Sequence, residues 1–112
     1  MSPESIGSVI SEVSSVFGHV YRSILSSPSG VFVFLVATPA RAGSLARQAS
    51  LLTELGLNLL LSYMFNISED LAMALMIYEA KEGYFQKAIE ALRRGGAVVR
   101  EAYYLKVIEK LQ

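Results

Sequence analysis

The chain has no cysteine, no tryptophan and a single histidine in 112 residues. The first absence removes disulfides, zinc–thiolate centres and thiol catalysis together. One histidine leaves nothing from which a His-rich metal site is built, and "SED" (Ser68 to Asp70) reads as a turn with a solvated charge pair, so no metal and no cofactor are expected. Excess charge is missing too, since ten basic residues balance ten acidic ones. Phosphate backbones are held by a concentrated excess of Lys and Arg, so nucleic acid is not an expected partner. Long apolar runs are also missing. The longest, "VFVFLVA" (Val31 to Ala37), falls far short of the roughly 20 residues needed to cross a bilayer. "MSPES" puts no basic segment ahead of an apolar one, so no secretory signal and a cytoplasmic location are expected.

What remains is a chain that is 53% hydrophobic and 18% charged, the profile of one compact domain with one core. Residues Ser2 to Leu25 carry apolar side chains at Ile6, Val9, Ile10, Val13, Val16, Phe17, Val20, Tyr21 and Ile24. Spacings of three and four predict an amphipathic helix, with Ser2 as cap, Pro3 in the first turn, and a serine-rich opposite face holding Glu12, His19 and Arg22. "SSPSG" (Ser26 to Gly30) ends it, which divides the chain into an N-terminal helix with its linker (1–27) and a main domain (28–112).

The main domain alternates. Val31 to Ala37 reads as a strand and Ser44 to Leu55 as a helix closed by Gly56. Leu57 to Phe65 and Leu71 to Ala80 read as strands joined by the polar "NISED" turn. Gly83 to Arg94 reads as a second helix stopped by Gly95 and Gly96, and Ala97 to Tyr104 as a fourth strand before a short helical tail. The order β-α-β-β-α-β predicts an α+β, ferredoxin-like sandwich, with a four-stranded antiparallel sheet carrying both helices on one face. A sheet with one wet face alternates apolar and polar residues. Val31 to Val36 and Leu71 to Tyr78 do not, so the second face is expected to be covered, by the N-terminal helix, by another subunit, or by both. A dimer or larger homo-oligomer follows.

Catalytic chemistry finds little support. His19 has no evident nucleophile or orienting partner and reads as a solvated surface residue. "ATPARAGSLA" lacks the glycine spacing and lysine of a phosphate loop, and neither Gly-x-Ser-x-Gly nor Gly-x-Gly-x-x-Gly occurs. Arg93 and Arg94 complement the negative pole of the second helix. No catalytic residue is assigned. The loop before Ser44 differs. Gly43 has access to backbone angles closed to other residues, and the first N–H groups of the helix lack intrahelical partners and face a positive dipole end. That setting welcomes a carboxylate, with Arg41 or Arg47 adding charge. Equally, Ser44 is placed to cap the helix, with water satisfying the rest.

"FVFLVATPARAGSLARQASLLTELGLNLLLSYMF" resembles the first half of an ACT domain, the small-molecule-binding regulatory module of amino-acid metabolism. Gly43 and Leu45 match the glycine and leucine of that family's Asp/Asn-x-Pro-Gly-x-Leu loop. Gly56, Asn58 and Leu59 match its Gly-x-Asn element, and "YFQKAIEALRRGGAVV" resembles its second helix and following strand. The resemblance spans Val31 to Leu105. It implies a non-catalytic domain that binds a small amino acid at a subunit interface and regulates an amino-acid biosynthetic enzyme. Arg41, Ala42, Gly43, Ser44 and Leu45 of one chain would then face Asn58 of its neighbour. Ala40 stands where the family's ligand-binding Asp or Asn sits, and Ala42 replaces the proline. The side chain that would hold an amine is missing, whereas a carboxylate site built from backbone N–H groups does not depend on it. The alternative is an assembly protein on the same fold that binds no ligand.

Overall fold

The computed structural model describes residues 29–106 and, before them, Gly7, Ser8, Ser11, Ser15, Gly18, His19, Arg22 and Ser26. Those eight positions have helical backbone, and all but the half-buried Gly18 are exposed. The rest of the N-terminal helix expected over Ser2 to Leu25, its apolar stripe included, lies outside the described residues, as does the expected C-terminal tail beyond Lys106.

The main domain runs β1 (Val31–Pro39), α1 (Ser44–Glu54), β2 (Leu59–Asn66), β3 (Leu71–Glu79), α2 (Phe85–Arg94) and β4 (Val98–Leu105). The strands form one antiparallel sheet in the order β2-β3-β1-β4. This is an α+β architecture, an open four-stranded sheet with two helices, and it is compatible with a ferredoxin-like fold.

Strand parity decides where the core sits. Phe32, Phe34 and Val36 of β1 pair with Tyr78, Met76 and Ala74 of β3, and all six are fully buried. They meet Leu52 of α1 and Ala88, Ile89, Ala91 and Leu92 of α2, so both helices cover this face. Phe85 opens α2 against Phe32 and Phe34, with ring centroids 5.3 and 5.9 Å apart, and Tyr104 adds an edge contact to Phe32 at 5.2 Å. Large apolar burial of this kind supplies most of the stability of an amphipathic helix.

The opposite parity is apolar as well. Val33 and Leu35 of β1, Met73, Leu75 and Ile77 of β3, and Leu61 of β2 are half-buried, whereas Tyr63, Phe65, Val98, Tyr103 and Leu105 are 42–60% exposed. Glu101, opposite Leu35, puts a charge in the middle of this face and accepts a 2.7 Å hydrogen bond from the Tyr103 hydroxyl.

Both helices end alike. The N–H of Gly56 bonds to Thr53 O and that of Leu57 to Leu52 O; forty positions later Gly96 bonds to Arg93 O and Ala97 to Leu92 O. Gly56 and Gly96 have φ of 79° and 91°, the left-handed turn that lets orphan carbonyls be satisfied, and Leu57 and Ala97 bury the apolar residue that follows. The turn explains why β2 begins at Leu59 rather than Leu57: the Leu57 N–H is already spent on α1.

Candidate functional site

The loop from β1 to α1 forms one wall of a depression of about 370 Å³ lined by Thr38, Pro39, Arg41, Ala42, Gly43, Ser44, Arg47, Gln48 and Gly95. Four residues expected from the sequence therefore converge: Arg41, Ala42, Gly43 and Ser44. The loop is held at its base, where the Ala40 N–H donates to Asp70 O at 3.0 Å. Gly43 is the N-cap, with φ 85° and ψ −7°, and no side chain caps the helix. The expectation that Ser44 caps α1 is thereby corrected. Ser44 is the first helical residue, and its N–H is taken by Arg41 O at 3.2 Å in the preceding turn. A left-handed residue at the cap turns the chain too sharply for the serine hydroxyl to reach back over the first turn.

Nothing lies within 4 Å of where a Cβ at Gly43 would sit, so the space in front of the loop is open. Arg41 and Arg47 are exposed, and neither is in an ion pair among the described residues. The lining holds two guanidinium groups, the positive end of an eleven-residue helix, and no carboxylate. Such a surface attracts anions and orients them by backbone N–H groups.

The other two expected residues go elsewhere. Leu45 is half-buried and packs against the core rather than the depression. Asn58 stands at the opposite end of the sheet, roughly 25 Å of strand away, where its side-chain amide donates to Glu79 Oε2 at 3.3 Å and its backbone carbonyl accepts from the Glu79 N–H at 2.9 Å. Within one chain it has no part in the depression.

Four lining residues were not expected, Thr38, Pro39, Gln48 and Gly95, and the last two meet across α1 and the end of α2. Gln48 lies one turn after Ser44, and helical side chains lean toward the helix N-terminus. It is 1% exposed; its Nε2 donates to Gly95 O at 3.2 Å, and its Oε1 has no hydrogen-bond partner. Gly95 has an ordinary φ of −76°, so its backbone does not demand glycine. A Cβ there would run into Leu51 Cδ1 and stand 3.0 Å from Gln48 Oε1. The signal for Gln48 was in the sequence: it is a polar residue on the Leu45, Ala49, Leu52 stripe of α1.

Among the described residues no three His, Cys, Asp or Glu side chains are grouped to hold a metal, and no helix is long and apolar enough to cross a membrane. A second hollow, lined by Ser29, Glu82, Tyr104 and Lys106, sits near the amino end of α2 and carries charges of both signs. Comparison with protein-family models and with curated proteins finds no match to this chain.

Proposed function

We propose that the chain is a non-catalytic ACT-like regulatory domain on a ferredoxin-like fold, binding an amino acid or a related small metabolite at a subunit interface, by its carboxylate, at the amino end of α1. The observation that carries the reading is the depression itself, where Arg41, Ala42, Gly43 and Ser44 meet Arg47 around uncapped N–H groups. The resemblance places a neighbouring subunit's Asn58 across this site and an enzyme of amino-acid metabolism as the protein regulated, in the cytoplasm. Ligand bound at a subunit boundary favours one arrangement of subunits, and the enzyme responds to that arrangement.

Thermal denaturation against a panel of amino acids and related carboxylates tests this, because a ligand that binds only the folded state adds about 2.7 kcal/mol at a hundredfold excess over its Kd. Gly43→Val forces a β-branched residue into a left-handed turn and is expected to abolish the shift while the protein stays folded. Asn58→Ala is expected to weaken binding by about 1–3 kcal/mol by leaving a polar partner unsatisfied. A shift indifferent to Gly43→Val moves the site elsewhere.

A second reading, an assembly protein that binds no ligand, is favoured by the apolar second face with its exposed Tyr63, Phe65, Tyr103 and Leu105. It stands if no carboxylate raises the midpoint.

A further inference from the structure

The second face of the sheet is shaped as a trough. Its floor is the two central strands, where Val33 and Leu35 of β1 lie beside Ile77 and Leu75 of β3 and all four are half-buried. Its rims are the edge strands, where Tyr63 and Phe65 of β2 and Tyr103 and Leu105 of β4 are 42–60% exposed. A contiguous apolar surface of this kind marks a contact. Val31, on the same face at the start of β1, is fully buried although its cross-strand neighbours Glu79 and Leu105 are exposed, which points to chain lying over that end of the trough.

We propose that the trough is the docking site of the N-terminal helix of the same chain, running antiparallel to β1, whether or not the depression at α1 binds a ligand. Dimensions and pattern match. The described positions from Gly7 to Ser26 have helical backbone, and a helix over 7–26 is about 30 Å long, the length of the nine-residue strands β1 and β3. The four strands span about 14 Å from rim to rim, room for one helix of about 10–12 Å. Ser8, Ser11, Ser15, His19, Arg22 and Ser26 recur every three or four positions and are exposed, so they form the wet side. The same period puts Val13, Phe17, Val20 and Ile24 on the opposite side.

The link selects the chain's own sheet. The Tyr104 hydroxyl donates to Ser29 O at 2.9 Å and the Ala80 N–H to Gly30 O at 3.0 Å, which fixes the end of the link at the start of β1. Residues 27–30 reach at most ~14 Å, against about 10 Å between packed layers, so the helix can turn back directly over β1 and β3. So short a tether holds it at an effective concentration that a second copy at micromolar concentration does not match. A second copy laid face to face also fits less well. The paired rows crossing the trough hold Glu101 in the middle, Glu79 at one end and no basic residue, so stacking would close Glu101 into an apolar layer with no cation to pair it. The helix leaves Glu101 on its rim beside solvent, and leaves Tyr63 and Phe65 for contact between copies.

The chain has no cysteine, so introduced pairs report contact cleanly. Counting back from Ser26 at about 1.5 Å per residue brings the helix level with Leu35, about 13 Å along β1, near Phe17. In the full chain, Leu35→Cys is combined in turn with Val13→Cys, Phe17→Cys and Val20→Cys, and with Ser15→Cys as the control on the wet side. Oxidised at low micromolar concentration, at least one of the first three pairs is expected to convert most of the chain to a fast-migrating linked monomer on non-reducing electrophoresis, and the control none. A linked dimer from those pairs, with no linked monomer, overturns docking on the same chain and gives the helix to a second copy's trough. No crosslink from any of the three, or crosslinking of the control as readily, overturns docking itself. A second measurement leaves the sheet untouched. Phe17→Glu is expected to lower the melting midpoint and raise binding of a hydrophobic dye, and Ser15→Glu to change neither; equal behaviour of the two overturns the proposal.

Discussion

Tyr78→Phe should make this protein more stable. Tyr78 lies on the core face near the end of β3, fully buried, with its ring 6.5 Å from that of Phe34. Its hydroxyl has no hydrogen-bond partner among the described residues. A buried hydroxyl that leaves water and finds no partner costs about 1–3 kcal/mol, and phenylalanine fills the same ring volume without it. Urea unfolding at neutral pH should show the gain as a midpoint raised by about 1 M for a slope of 1–3 kcal/mol/M. The alkaline limb gives an independent check. Burial pushes the Tyr78 phenol up from 10.0 to about 12, so the fold favours its neutral form. That contribution is intact below pH 10 and is lost as pH rises from 10 to about 12, a loss of roughly 2–3 kcal/mol. The variant has no group to lose there, so its lead over the wild type should widen across that window. A variant less stable at neutral pH would refute the reasoning and show that the hydroxyl is bonded, to a buried water or otherwise. Identical alkaline losses would show that the phenol is not desolvated.

Gly95→Ala should destabilise by about 1–2 kcal/mol in the same assay, because overpacking against Leu51 and Gln48 outweighs the smaller gain from stiffening the unfolded chain; equal stability would mean that α1 and α2 separate freely. Light scattering at micromolar concentration should report a dimer or larger species, and Tyr63→Glu, a change at a position 60% exposed on the second face, should shift it toward monomer. A monomeric wild type would leave that face to the chain itself. Removal of residues 1–27 should cause aggregation or a lower melting midpoint, and a truncated chain with unchanged mass and midpoint would give the segment another role.

The order of elements was readable because glycines and polar turns separate segments of distinct period. "VFVFLVA" has no helical reading that leaves a polar face, and Gly56 and Gly95–Gly96 close both helices. The boundaries moved where backbone bonding outranked composition. Leu57 looks like strand and belongs to the helix terminus, and Pro39, which ends β1 opposite Leu71, looks like loop. Part of the candidate site was equally readable, since Arg41 to Ser44 sit together by sequence. Gln48 stood out only as a polar residue on an apolar stripe; its partner Gly95 was not readable, because the pairing spans 47 positions and depends on how closely α1 approaches α2. Asn58 shows the converse limit. It belongs to a recognisable element, but only an arrangement of two chains would bring it to Gly43.

The forty-position correspondence between the two halves bears on how the chain folds. Gly43 and Gly83, Leu52 and Leu92, and Gly56 and Gly96 occupy equivalent places, so β1-α1-β2 and β3-α2-β4 are the same unit used twice. Yet β1 and β2 are not neighbours in the sheet, because β3 lies between them, and β3 and β4 are likewise separated by β1. Neither half has a strand pair of its own. Each central strand finds its hydrogen bonds only in the other half, so an isolated half would expose its backbone groups and its apolar helix face together. The loop-closure cost of bringing the halves together is met before any ladder forms. Folding is therefore all-or-none across residues 31–105, with denaturation curves from far-UV and tyrosine signals that coincide and no half-folded species at the midpoint.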